Sequence, residues 1–351
     1  MDGRWRRATT AGTVGPVLPP RIVLAPHLPL LTHAGHGRRI GLDPARSLAV
    51  DDLAEPLALL LDGLVAPVAT EAWLAGATAR GVPPDDARSL LRDLLAAGAL
   101  VDAVEPERVA RHRAGGTVVV RGDGPLAAGI AGALARCGIG TVHVAAAGVV
   151  PGSDVGCGYM DADVGRLRSE ALADVVRRVA PEACTGPPPR GLRPDLVVLA
   201  DAVVPDPLVV TRLLANRTDH LPVLVRDGLG LVGPLVLLGR TPCVRCVELG
   251  RAQRDEAWPE IAAQLAGRCG SADPATLAAT AALGAAQALA ALDGPSGGAP
   301  APPSIGATLE LDARAGTVKR RPWDAHPDCP CGAGATSATW PTPRLRETIM
   351  R

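Results

Sequence analysis

Thr117-Val-Val-Val-Arg-Gly-Asp-Gly-Pro-Leu-Ala127 is the stretch whose reading decides the fold. Four β-prone residues lead straight into two glycines spaced one apart, and an Ala-rich run follows. The run predicts a helix over Leu126–Cys137, closed by Gly138-Ile-Gly140. A second short strand, Thr141-Val-His-Val-Ala145, comes next. Strand, glycine turn, helix and strand make a β-α-β unit, in which glycines let backbone approach an anion at the helix N-terminus. The turn reads G-x-G-x-x-A, with Ala127 in the third glycine position. The second strand runs out as Val144-Ala-Ala-Ala-Gly148, with no acid before Asp154 to hold a ribose. On its own this turn is a weak sign of nucleotide.

Downstream, Arg166–Arg178 reads as a helix, and Asp195-Leu-Val-Val-Leu-Ala-Asp201 as a buried parallel strand ending in an acid. Ligands in open α/β sheets sit at the carboxyl ends of strands. Asp201 is therefore expected in the crevice beside Gly122 and Gly124, holding magnesium near a phosphate. The competing reading is a cap or loop residue ahead of Pro205. A helix over 207–216, a strand over 221–225 and an Asp227-Gly228 hairpin carry the chain to Thr241-Pro-Cys-Val-Arg-Cys246. A helix over 244–254 then exposes Glu248, Arg251 and Arg254. An Ala-rich helix over 275–292 and a hairpin over 307–320 end at His326-Pro-Asp-Cys-Pro-Cys331. Cys243 and Cys246 form C-x-x-C, and Cys329 and Cys331 form C-x-C. Either pair alone reads equally as a disulfide or as buried thiols. Two close pairs, each in a Pro-containing turn, predict a four-thiolate zinc site with no open position for chemistry.

Upstream, residues 1–18 read as a flexible arm and 19–104 as a separate module. Arg21–Leu24 and Leu28–Leu31 read as strands, with a turn at Thr32–Gly37 and a return strand at Arg38–Leu42. Helices are expected from Asp51 or Asp52 to Leu61, from Thr70 to about Arg80, and from Pro83 to Ala97, with a closing strand at Ala99–Val101. Hairpin, three helices and strand make a winged-helix-like arrangement. Its third helix balances Asp85, Asp86 and Asp93 against Arg88 and Arg92, so it offers no basic stripe to a phosphate backbone. An extended peptide added at the sheet edge fits better. His33 and His36 read as exposed turn residues. Val104–Gly116 reads as a linker.

The composition agrees. Among 351 residues the formal net charge is +0, with no Phe and 2% aromatics, which argues against nucleic acid or an anionic membrane as partner. The N-terminus lacks an apolar signal core, so a cytoplasmic setting is expected, with Cys137, Cys157, Cys184 and Cys269 as free thiols. Cys269 reads as buried and inert.

The ordered set resembles the ThiF/MoeB family, the fold of ubiquitin-activating enzymes, over about residues 116–335. With the Thr-Pro-Cys-Val-Arg-Cys-Val-Glu-Leu and His-Pro-Asp-Cys-Pro-Cys-Gly segments, the whole chain is similar to partner proteins of azoline-peptide (bacteriocin) cyclodehydratases. The fold class implied is α/β: a winged-helix-like module (19–104), a ThiF-like Rossmann-type domain (116–240), a zinc-braced crossover and hairpin (241–335), and a tail (336–351). The resemblance implies that the module binds the leader of a ribosomally made precursor peptide, and that the ThiF-like part serves a YcaO-type enzyme. It also implies a homodimer. It places Cys243, Cys246, Cys329 and Cys331 on zinc, Gly122 and Gly124 on phosphates, Arg168 where active members carry a phosphate-binding lysine, and Asp201 on Mg²⁺. Pro125 and Ala127 replace two family glycines, and the ribose acid has no counterpart. These departures favour a non-adenylating scaffold over the alternative, an ATP-dependent adenylyltransferase acting on a peptide or carrier C-terminus.

Overall fold

Apolar β-branched runs bounded by glycine turns set the order of this computed structural model. It describes residues 17–33, 36–43, 47–51, 53–189, 191–294 and 301–333. The expected arm (1–18, except 17 and 18), the tail (336–351) and most of the 294–303 linker lie outside these. The chain divides into two units between Arg108 and Val109.

The first unit carries two small antiparallel sheets. Strands β1 (Arg21–Leu24), β2 (Leu30–His33), β3 (Gly37–Ile40) and β4 (Leu48–Val50) precede helix α1 (Glu55–Asp62). Then follow β5 (Val68–Ala69), α2 (Thr70–Ala79), α3 (Pro84–Ala96) and β6 (Leu100–Asp102). The sheets run β5-β1-β6 and β2-β3-β4. Ile22, Ile40, Leu61, Trp73, Leu91 and Leu100 form one core among them. The expected hairpin, three helices and closing strand are all present. β4 and β5 are additions too short to carry a sequence signal. The first helix begins at Glu55, with Pro56 in its first turn, where a missing N–H costs nothing.

The presumed linker is instead a helix, α4 (Glu105–Ala114), inside which the two units divide. Its reason is electrostatic. Glu105 and Glu107 sit in the first turn, Arg111, His112 and Arg113 in the last, and both ends complement the helix dipole.

The second unit is built on β7 (Thr117–Arg121), α5 (Pro125–Arg136), β8 (Thr141–Ala145), α6 (Arg168–Val179), β9 (Leu196–Ala200), α7 (Pro207–Ala215), β10 (His220–Arg226) and β11 (Leu229–Val232). It continues with α8 (Val244–Ala252), α9 (Trp258–Gln264), α10 (Pro274–Asp293), β12 (Ala307–Asp312) and β13 (Thr317–Pro322). The seven-stranded mixed sheet runs β13-β12-β11-β10-β9-β7-β8. β7 is parallel to both β8 and β9, and the β9–β10 pair is also parallel. Four of β7's five residues are buried, as a central parallel strand covered on both faces requires. One face packs α5, α6 and α10 through Leu126, Ile130, Leu172, Val176, Ala281 and Ala285. The other packs α7 and α8 through Val210, Leu213, Val244 and Val247. Among the described residues, α10 alone is long and apolar enough to cross a membrane by length and composition, yet it lies against α5 with Leu277, Ala281 and Ala288 buried.

Strand order reverses at β7, whose successor β8 lies on one side and β9 on the other. Such a switch opens a crevice at the strand ends.

Candidate functional site

The crevice lies where the order predicts. A cavity of about 840 Å³ is lined by Gly122 and Asp123 after β7, Ala200 and Ala202 at the end of β9, Trp258 of α9, and Cys269. Most of its wall is apolar.

Asp201 stands between the lining residues Ala200 and Ala202 and does not itself line the cavity. It is only 2% exposed and adopts a left-handed backbone, φ +70, in which Asp is tolerated better than most residues. Its Oδ2 accepts hydrogen bonds from the backbone N–H groups of Gly124 (3.0 Å) and Ala127 (3.2 Å), and its Oδ1 from that of Leu126 (2.8 Å). A helix leaves its first four N–H groups without intrahelical partners. Here Gly124 is the N-cap and Pro125 has no N–H, so Asp201 takes every free donor at the start of α5. The two glycines are explained by the same carboxylate. A Cβ on Gly124 would lie 2.6 Å from Oδ1, and one on Gly122 would strike Oδ2. Burial raises Asp201 to about 6 despite the three amides. The acid expected in the crevice beside a phosphate is thus buried against the N-terminus of α5, whose amides it accepts. Nor is it the cap of α7. That is Asp206, which accepts from the Leu208 N–H at 2.8 Å.

Arg168, in the first turn of α6, is 9% exposed, and its Nη1 donates to Asp154 Oδ2 at 2.6 Å. Asp154 is the first acid after β8, and its partner is this arginine. Tyr159 lies between the groups. Burial pushes its hydroxyl up to about 12, Arg168 opposes this, and Asp201 and Asp154 add to it. The structure therefore joins Gly122, Gly124 and Asp201 directly, and commits Arg168 to an internal ion pair. Asp123 was missed from sequence. Its Oδ1 accepts the Ala147 N–H at 2.6 Å and ties the chain after β8 to the glycine turn.

Cys269 was read as buried and is exposed. A β-bridge to Ala202 and a hydrogen bond from Gly270 N–H to Asp201 O (3.0 Å) bring it to the cavity mouth. Desolvation, with Asp201 and Asp123 adding to it, raises its thiol. Nothing in the local sequence Arg-Cys-Gly-Ser signals this placement, because the bridge joins segments far apart in the chain.

The second cluster is the four cysteines. Cys243 caps α8 and Cys246 lies in its first turn, while Cys329 and Cys331 arrive from the segment after β13. The four Sγ atoms lie within 4.8 Å of one another. Cys243–Cys246, Cys243–Cys329 and Cys246–Cys331 are 3.9, 3.5 and 3.5 Å apart. A tetrahedron with Zn–S bonds of about 2.3 Å has edges of about 3.8 Å, whereas a disulfide needs about 2.05 Å. The four cysteines could hold a metal ion and fit zinc. A hydrogen bond from Cys243 lowers the Cys246 thiol below its usual range.

No protein-family profile matches the chain, and no curated protein matches it. Solved structures do. Escherichia coli MccB bound to AMPCPP and MccA superposes with TM-score 0.67 at 15% identity, covering 89% of this chain and 99% of that one. MccB alone gives 0.67 at 14% identity, covering 93% and 99%. PaaA gives 0.58 at 13% identity, covering 85% and 99%. MccB is a microcin C7 biosynthetic enzyme and has also been solved with ATP. At these identities the likeness shows a shared fold, compatible with the Rossmann-like ThiF fold.

Proposed function

We propose that this chain is a zinc-braced, non-adenylating ThiF-like scaffold. It binds the leader of a ribosomally made precursor peptide and presents that peptide to a YcaO-type cyclodehydratase for azoline formation. The observation that carries the loss of adenylation is Asp201. Its carboxylate satisfies every free amide at the start of α5, the place where a nucleotide phosphate would need those donors. Arg168, paired with Asp154, is likewise withheld from a phosphate. The raised Cys269 thiol makes a poor nucleophile at neutral pH.

Peptide binding is assigned to the winged-helix-like module, residues 19–104. β2 and β4 form the edges of their sheet, and Leu31 on β2 is exposed, which suits strand addition. The fold neighbour MccB, seen with MccA, supports a peptide-handling use of the fold. Zinc on Cys243, Cys246, Cys329 and Cys331 serves as a brace. A homodimer through the ThiF-like part belongs to the same reading.

The test is twofold. Calorimetric titration of the full chain with a precursor peptide encoded beside it should give a Kd near 10 μM or tighter, about −7 kcal/mol. ATP–pyrophosphate exchange with that peptide should stay at background. The alternative, an ATP-dependent adenylyltransferase, is favoured by one observation: the 840 Å³ cavity joins Gly122, Asp123 and Cys269 at the switch point. Exchange that disappears in Asp201→Ala would establish it and displace the scaffold.

A further inference from the structure

Beside the crevice, whose wall includes Trp258 and Glu248, guanidinium and indole groups alternate in a stack. Arg226 lies over Trp258 at 5.3 Å from the ring centroid, and Arg251 over the same ring at 5.0 Å. Arg251 also lies 5.6 Å from the centroid of Trp323, and Arg254 lies 4.8 Å from it. The rings are fixed by their N–H groups, Trp258 to Glu248 Oε2 at 2.6 Å and Trp323 to Thr308 Oγ1 at 2.9 Å. Glu248 and Arg251, expected on an exposed face of α8, are half-buried as a result.

The three arginines are short of acids. Among the described residues, no carboxylate lies within ion-pair distance of Arg226 or Arg254. Arg251 has only the 3.5 Å contact to Glu248. Arg226 donates one Nη2 bond to Val203 O, and its buried Nε has no partner. Arg254 uses Nε on Gly250 O. Burial first, and then the neighbouring guanidinium of Arg226, push Arg251 down to about 10. A fourth, Arg321, is held by Glu310. All four line one cavity of about 350 Å³, whose other acids are Asp227 and Asp255. Asp255 already accepts the Ala257 N–H.

A cation–π contact positions a guanidinium without neutralising it. An ion pair would do both. Planar forks held rigid on ring faces, with donors left over, are what bidentate oxyanion binding requires. We propose that this cavity binds a small oxyanion, a phosphate or a carboxylate, through Arg226, Arg251 and Arg254. The chemistry shared by the two ligands is a pair of oxygens meeting a guanidinium edge. A free anion and an acidic group on a larger partner both supply it. This cavity shares the Trp258 ring with the crevice wall but none of its four arginines, and it does not depend on the leader-peptide reading.

The test uses the full metal-loaded chain, titrated at constant ionic strength with inorganic phosphate and separately with acetate, chloride serving as control. Tryptophan fluorescence and calorimetry report binding. Saturable binding of either anion at about millimolar Kd is expected, and the tighter one identifies the ligand class. Arg254 is exposed, so Arg254→Gln should keep the wild-type melting temperature and weaken binding about tenfold, the loss of one charged hydrogen bond. If that variant melts early, Arg254→Lys keeps charge and stem, loses the fork, and should still weaken binding severalfold. Absence of saturation by both anions, or unchanged affinity in a folded Arg254 variant, would overturn the proposal.

Discussion

The four-cysteine cluster and the Asp201 crevice are both sets of polar groups converging inside the second unit, and they differ in what completes them. At the crevice three amides meet a carboxylate from the same chain, and the set is closed. At the cluster four sulfurs meet one another at tetrahedral spacing, and the set could hold a metal ion at its centre. The resemblance to ThiF-like proteins leads one to expect a ligand in both places. Donor accounting separates them: the four sulfurs could hold a metal ion, and the first amides of α5 are taken by Asp201.

The largest effect therefore belongs to the cluster. Cys246→Ser should abolish stoichiometric zinc, measured by elemental analysis of protein purified without chelator. Structural zinc contributes apparent folding energies of about 10 kcal/mol. Loss of even half of that should lower the melting temperature by at least about 10 °C. Retained stability with no metal in either protein would reduce the cluster to four packed thiols and erase the contrast with the crevice.

The pH dependence of stability is the second lever, and it acts on the crevice. Asp201 titrates at about 6 when folded, above the ordinary aspartate value near 3.9 in the unfolded chain. The folded state thus holds this proton more tightly. Its contribution to stability is full below about pH 4 and is lost as pH rises through 6. Two pKa units correspond to about 3 kcal/mol. Asp201→Asn tolerates the same backbone and cannot titrate, so denaturant unfolding from pH 4 to 7 should show that slope in wild type and lack it in the variant. The absolute offset also reflects how an amide fits the α5 terminus, so the slope is the readout. Equal slopes would mean that the carboxylate is solvated and the crevice open.

The sequence reached these two sites unequally, for a physical reason. The cysteines announce themselves locally, because two short spacings beside proline suffice. β7, α5, β8, α7, α10 and the closing hairpin fall within a residue or two of the expected bounds, and β7, α5 and α10 are apolar runs that glycine ends. The fate of Asp201 could not be read. Its partners are 74 to 77 positions away, and only the fold decides whether a strand-end acid faces solvent or an amide terminus. Arg168–Asp154 and Ala202–Cys269 were hidden for the same reason. Helix α9 is seven residues long, marked only by Pro259 near its start. The charged segment that became α4 carried its signal in end-to-end charge order and not in apolar period.

The smallest effect probes the contact that makes the crevice self-sufficient. Gly124 has φ −144, an extended conformation open to any residue, so Gly124→Ala introduces no backbone strain. The three atoms nearest an added Cβ all belong to Asp201, at 2.6, 2.8 and 3.1 Å. The cost is then overpacking against one side chain, about 2 kcal/mol. Asp201→Gly suits the left-handed backbone at that position and removes the obstacle, although it leaves three amides to be satisfied by water. If Asp201 is seated as described, the double variant should be less destabilised than the sum of the single ones by about that same 2 kcal/mol, a coupling that a double-mutant cycle in urea resolves. Strict additivity, or a harmless Gly124→Ala, would mean that the carboxylate spends its time elsewhere. The amides of α5 would then be free for a phosphate, and the crevice would join the cysteine cluster as a site awaiting its ligand.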